Sequence, residues 1–222
     1  MKFEVIIPAK DEAETIEEIV ACLQDWPEIS AIRVIDNASE DGTGRLAEAA
    51  GALVLEEPRV GKGYAVKRGL AEARSEYVFV CDADICGLTR DRVLEAVERV
   101  ASGSAQLCRL AMSRPVEAAP VTTLVALPSL RHLFPDLKVR EPLGGLFAIK
   151  REEALAYSLS DDWGFDVALT LSVYLSGKKI EEISAPEITH RVRAITEYEK
   201  MACEVTRTIL HFADRLLALG RP

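Results

Sequence analysis

The chain has 222 residues, 49% hydrophobic and 28% charged, which is enough to bury one sizeable core in a single domain. Acidic residues number 36 against 27 Lys and Arg, a net charge of -9, and the basic residues are scattered, so no footprint for nucleic acid is expected. Its five cysteines are odd in number, form no CxxC and fall mostly in apolar patterns, which predicts reduced thiols and a cytoplasmic protein. No leader pattern opens the chain and no apolar stretch approaches the ~18 residues of a membrane span, so any membrane contact is expected to be peripheral.

In chain order, β-branched runs alternate with segments of helical period. Strands are predicted over 3–7, 32–35, 52–55, 77–81 and 106–112, and helices over 13–23, 44–50, 63–73 and 91–101, with Thr43 and Thr89 as amino-terminal caps. Such alternation predicts an α/β fold, a mostly parallel sheet flanked by helices and joined by right-handed crossovers. Ligands then belong at the carboxyl ends of the strands.

Polar clusters follow four of these strands. VFVCDAD over 78–84 brings Asp82 and Asp84 side by side to a sheet edge, and paired carboxylates suit Mg²⁺ or Mn²⁺, hard ions whose shells are completed by substrate phosphates and water. A strand cap and a turn explain the same residues without a metal. PAKDEAET over 8–15 ends a strand at Pro8 and offers backbone N–H groups and Glu12 to a nucleotide, or simply places acids at a helix start. DNASEDGT over 36–43 is rich in side chains that bind ribose hydroxyls or build a turn. GKG over 61–63 sets Lys62 between two flexible residues at a helix start, so the backbone can approach an anion and Lys62 can reach a phosphate, although a plain loop needs no ligand.

The order PAKDEAET, DNASEDGT, GKG and VFVCDAD resembles the nucleotide-sugar half of GT-A glycosyltransferases of the family 2 group. Later blocks, VTTLVALP over 121–128, PLGGLFA over 142–148, WGFD over 163–166 and THR over 189–191, resemble the glucosyl-3-phosphoglycerate synthase and mannosylglycerate synthase type. The resemblance implies a GT-A fold with a nucleotide-sugar half over 1–112, an acceptor half over 113–194 and a carboxyl-terminal helix over 195–222. It implies Pro8, Lys10 and Glu12 at the base, Asp36 and Ser39 beside the ribose, and Lys62 at the base or diphosphate edge. Asp82 lies at the ribose, Asp84 and His190 hold Mg²⁺ or Mn²⁺, and Gly144 and Gly145 let backbone come close to the sugar diphosphate. Asp166 stands near the donor sugar as a catalytic residue with Asp84 and Lys62, while Thr122 and Arg191 contact the acceptor. His190 on its own is a common surface or core residue, the two glycines also suit a turn into the apolar run over 146–149, and Asp166, at helical spacing from Asp162, also suits solvated surface or a helix cap.

The implied reaction moves a hexose from a nucleoside-diphosphate sugar, UDP-glucose or GDP-mannose in type, to a small phosphorylated or lipid-linked acceptor, with retention at the anomeric carbon. Inverting polyprenyl-phosphate transfer is the alternative, with Asp161, Asp162 or Asp166 as base; a non-catalytic nucleotide-sugar-binding module is another. Two positions depart from the phosphoglycerate enzymes: Pro120 and Val192 stand where those carry an Arg and an Asn at the acceptor. The last segment reads as an amphipathic helix with Met201, Val205, Ile209, Phe212, Leu216 and Leu219 on its apolar face, packed on the same domain or forming a dimer seam.

Overall fold

The structure, a computed structural model, describes residues 1–190, 196 and 198–218. Nine strands and eight α-helices are described: β1 (Phe3–Ala9), α1 (Ile16–Gln24), β2 (Ile29–Asp36), α2 (Thr43–Ala49), β3 (Leu53–Glu56), α3 (Lys62–Glu72), β4 (Tyr77–Val80), β5 (Ile85–Cys86), α4 (Arg90–Ala101), β6 (Leu107–Ala111), α5 (Leu127–Leu133), β7 (Phe147–Lys150), α6 (Arg151–Leu155), α7 (Phe165–Leu175), β8 (Ile180–Ser184), β9 (Thr189–His190) and α8 (Tyr198–Ala218). Seven strands make one mixed sheet in the order β3-β2-β1-β4-β7-β6-β8, and β5 pairs with β9 in a second, two-stranded sheet. Only β7 runs against its neighbours in the large sheet, antiparallel to both β4 and β6.

The sheet is buried on both faces, which is why its strands read as nearly continuous apolar runs. Val5, Ile7 and Phe79 meet Ile16, Val20, Val93 and Val97 on one side. Ile6, Val78 and Val80, on the alternate positions, meet Val66, Leu70, Phe165 and Leu169 on the other. Helix α8 adds Val205, Ile209 and Phe212 to the second layer and packs on α7, so the same-domain reading of this amphipathic segment describes what is seen; Leu219 lies outside the described residues. No helix among the described residues is long and apolar enough to cross a membrane.

The chain leaves β1 for β2 and β3 on one side, then returns to place β4 on the other. That reversal opens a crevice beyond the carboxyl ends of β1 and β4, where β/α sheets bind ligands.

Of the two expected caps, Thr89 stands at its place and Thr43 does not. Gly42, with φ of +90°, occupies the cap position of α2, because Thr43 is already helical and its Oγ1 accepts the Glu12 N–H (2.9 Å) and donates to Asp41. Thr89 does precede α4 with extended backbone but makes no side-chain cap bond.

The glycines of GKG also have a packing role. A Cβ on Gly61 would lie 2.4 Å from the Asp161 carbonyl oxygen, and one on Gly63 would lie 2.0 Å from that of Ser160. They let the start of α3 dock on the 160–161 backbone, a contact fixed by the Tyr64 N–H donating to the Asp161 carbonyl (3.0 Å). Gly63→Ala is therefore expected to destabilise the protein by more than about 2 kcal/mol, since backbone cannot yield as a flexible side chain does. The midpoint of urea denaturation checks this; an unchanged midpoint contradicts it.

Candidate active site

The first two strand-to-helix loops are sewn together. The Asp11 N–H donates to Ser39 Oγ (3.0 Å), the Ala13 N–H to Asp41 Oδ2 (2.9 Å) and the Glu40 N–H to Asp11 Oδ1 (2.8 Å). That last bond, with the Lys10 ammonium at 2.9 Å, holds the Asp11 carboxyl below its ordinary range. Both loops turn through left-handed backbone at non-glycine residues, Asp11 (φ +54°) and Ala38 (φ +57°), a conformation that persists only where its surroundings impose it.

A cleft of about 680 Å³ opens at this edge of the sheet. Pro8, Lys10, Glu12, Lys62, Asp82, Asp84, Gly144, Gly145, Thr122 and His190 all line it, bringing together residues from six separate stretches of chain. Asp36 and Ser39 are not among the lining residues: Asp36 Oδ1 accepts the Ser39 N–H (3.0 Å), and Ser39 braces the first loop. Asn37 takes the place at the wall. Its amide donates to the carbonyls of Glu57 (2.9 Å) and Arg59 (2.8 Å) and accepts the Gly61 N–H (2.8 Å), so it ties the second loop to the approach to α3. Arg191 lies outside the described residues.

Asp84 is 7% exposed, and the antiparallel pairing of β5 with β9 sets Ile85 opposite His190. The aspartate is thus adjacent in the chain to the residue that faces the histidine, which explains how two positions more than a hundred residues apart share one wall. No group of three or more His, Cys, Asp or Glu side chains able to hold a metal is found among the described residues. A carboxylate and an imidazole fit an ion that takes its remaining ligands from substrate phosphate and water.

Behind that wall lies a buried chain of charge. Lys62, 7% exposed, sits between Asp82 (2.7 Å) and Asp166 (2.9 Å), with its ammonium 5.7 Å from the Trp163 ring centre. Burial works against the Lys62 charge, but the two carboxylates outweigh it and raise its pKa. Asp166, in the first turn of α7 and 2% exposed, is neither solvated surface nor a cap; burial pushes its carboxyl up, while Lys62 and Arg109 pull it down. The fourth member is Arg109 on β6, wholly buried, whose Nη1 is 3.9 Å from Asp166 Oδ1. Its guanidinium donates to the carbonyls of Gly144 and Asp166 and to Thr170 Oγ1 (2.9 Å), and lies 5.1 Å from the Phe147 ring centre. Burial depresses its pKa.

Gly145 has a steric reason to be glycine. A Cβ there would lie 2.1 Å from the carboxylate of Asp82, so the loop before β7 closes directly over that side chain. Beside it, Arg114 lines the cleft and is ion-paired with buried Glu141, whose carboxyl is raised by burial. Sequence reading passed over Asn37, Arg109 and Arg114. Arg109 carried a signal nonetheless: a lone guanidinium inside QLCRLAM must find partners once that strand is buried.

Residues 4–111 match the model of the family described as Glycosyl transferase family 2. The chain is 29% identical over 232 residues to glucosyl-3-phosphoglycerate synthase of Mycolicibacterium paratuberculosis, covering 93% of this chain and 70% of that protein. With the same synthase from Mycolicibacterium smegmatis it shares 28% over 229 residues, covering 93% and 76%. The crystal structure of the Mycobacterium tuberculosis synthase with Mn²⁺, UDP-glucose and phosphoglyceric acid superposes with a TM-score of 0.89 at 27% identity, over 100% of this chain and 80% of that one. A structure of that enzyme with Mg²⁺ and UDP gives a TM-score of 0.88 at 27% identity over 100% and 80%. The chain has the GT-A fold and carries a glycosyl transferase family 2 domain over residues 4–111, and it is a glycosyltransferase.

Proposed function

We infer that this glycosyltransferase moves a hexose from UDP-glucose, or a nucleoside-diphosphate sugar like it, to a small phosphorylated acceptor, with Mn²⁺ or Mg²⁺ held by Asp84 and His190. The observation that carries the reading is the convergence of Asp82, Asp84, Lys62 and His190 on one cleft at the switch between β1 and β4. The divalent ion, when bound, supplies positive charge against the diphosphate leaving group. Lys62 adds a second positive charge at the same wall, oriented by Asp82 and Asp166. Pro8, Lys10 and Glu12 face the base, Gly144 and Gly145 the sugar diphosphate, and Thr122 the acceptor. Asp36 and Ser39 act at the ribose through the loop that they shape.

Retention at the anomeric carbon is the stereochemistry we favour. An inverting enzyme needs a carboxylate free to take the acceptor proton. Each candidate here is already engaged: Asp161 with Lys67, Asp162 with Arg207 (2.6 Å) and the Gly164 N–H (2.8 Å), and Asp166 with Lys62. The related synthase is seen with phosphoglyceric acid, so 3-phosphoglycerate is the first acceptor to try. Pro120 in place of an arginine makes other phosphorylated or lipid-linked hydroxyl compounds the next set.

Thermal denaturation with UDP, GDP, CMP and ATP, each with and without Mn²⁺, tests the donor reading. A rise in melting temperature with one nucleoside diphosphate, dependent on the metal, is expected, because a ligand bound only by the folded state stabilises it. Indifference to every nucleotide would overturn the reading. Transfer of labelled glucose from UDP-glucose to 3-phosphoglycerate then tests the acceptor.

A further inference from the structure

We propose that Arg109 is a positioning residue of the transfer reaction, a buried guanidinium that holds the Gly144–Gly145 loop over Asp82 and the start of α7 against Lys62, so that the cleft is preorganised for the nucleotide diphosphate. The inference rests on the donor reading above only for the identity of the nucleotide.

Three observations converge on it. First, Arg109 lies outside the cleft lining and is 0% exposed, so it acts on a ligand only through other residues. Second, its donors go to two segments that do line or back the cleft. One is the carbonyl of Gly144, whose neighbour Gly145 leaves no room for a Cβ beside Asp82; the other is the carbonyl of Asp166, whose side chain holds Lys62. A shift in this guanidinium therefore moves both partners of the Lys62 ammonium. Third, Asp166 Oδ1 is buried without a hydrogen bond and faces Arg109 at 3.9 Å, so that oxygen has a charge for company and no donor. Two cations, Lys62 and Arg109, balance two anions, Asp82 and Asp166; taking Arg109 away leaves one negative charge uncompensated beside the buried Asp166.

The charged groups facing Asp166 are Lys62 from α3, Arg109 from β6 and Asp82 from the end of β4. Glu141 and Glu182 add negative charge near Arg109. Arg109 thus has two separable parts: its charge acts on Asp166, and its forked donors hold the backbone.

Two variants separate these parts. Arg109→Met removes both, and Arg109→Lys keeps the charge but cannot reach three acceptors at once. Binding of UDP with Mn²⁺ is measured by calorimetry, and the Asp166 carboxyl is titrated by ¹³C NMR in the protein without ligands, with Asp166→Asn to assign its signal. Arg109→Met is expected to weaken UDP binding at least about tenfold and to raise the Asp166 midpoint by about one unit or more. Arg109→Lys should keep the midpoint near that of the parent while still binding UDP several-fold more weakly. If Arg109→Met folds and matches the parent in either measurement, the proposal is overturned. If it fails to fold, Arg109→Lys decides: unchanged UDP affinity overturns the proposal, and weakened affinity with an unmoved Asp166 midpoint supports it. Failure of the parent protein to bind UDP and Mn²⁺ sinks the donor reading and leaves the carboxyl titration as the test of Arg109.

Discussion

Asp84→Ala is expected to lower glycosyl transfer at least about a hundredfold and to abolish stabilisation by UDP that depends on Mn²⁺, the scale of losing one electrostatic stabiliser from an active site. The aspartate reaches the cleft because β4 ends at Val80 and the chain re-enters a strand at Ile85, opposite His190. With the ion held by Asp84 and His190 as proposed, removing the carboxylate leaves the imidazole as a single protein ligand, too few to hold a hard divalent cation that must also bind a diphosphate. His190→Ala should show the same loss of metal dependence with a smaller effect on transfer. Circular dichroism verifies that the variants fold. Wild-type turnover in Asp84→Ala with Mn²⁺ present would remove Asp84 from the metal site.

The second large effect is on stability. Lys62→Met is expected to cost roughly 3–5 kcal/mol, because it strands the carboxylates of Asp82 and Asp166 around a vacated cation position. Its dependence on pH has a definite sign. A folded-state pKa of Lys62 raised above the ordinary value of 10.5 means that its contribution is complete below that value and is lost as pH rises through the folded pKa. In the variant, Asp166 keeps the burial that pushes its carboxyl up and loses the ammonium that pulled it down. The folded variant then binds a proton more tightly than the unfolded chain does, so the deficit against the parent should shrink as pH falls through the raised Asp166 pKa toward 3.8. Urea denaturation of both proteins at several pH values measures this. A deficit that is constant across the acid range would mean that Asp166 is not the stranded group.

Most of what was legible in the residues lies before residue 112, with the amphipathic α8 as the exception beyond it. Up to that point the strands of the large sheet are short apolar runs and the helices are amphipathic, as in α1, where Ile16, Ile19, Val20 and Leu23 fall on the buried face, and only the two-residue β5 carries no such signal. The period of the pattern is a local property, so it survives without knowledge of the fold. Beyond it, α7 buries every residue from Phe165 to Val173 and has no polar face to mark its period. Strand β7 is four residues long and derives its place from β4 and β6 on either side.

The site divides in the same way. Asp82, Asp84 and Lys62 stand beside predicted strand ends and helix starts, where the chemistry of a parallel sheet calls for them. The amino-acid sequence by itself therefore determined the α/β architecture, the edge of the sheet that carries the cleft and the acidic pair within it. Only the tertiary structure decided that Lys62 lies between Asp82 and Asp166, that Gly145 yields its side-chain space to Asp82, and that a guanidinium from the middle of β6 completes the charge balance. Strand and helix follow from neighbours in the chain, but the pairing of buried charges is set by which backbone segments pack within a few ångströms, and that is a property of the folded whole.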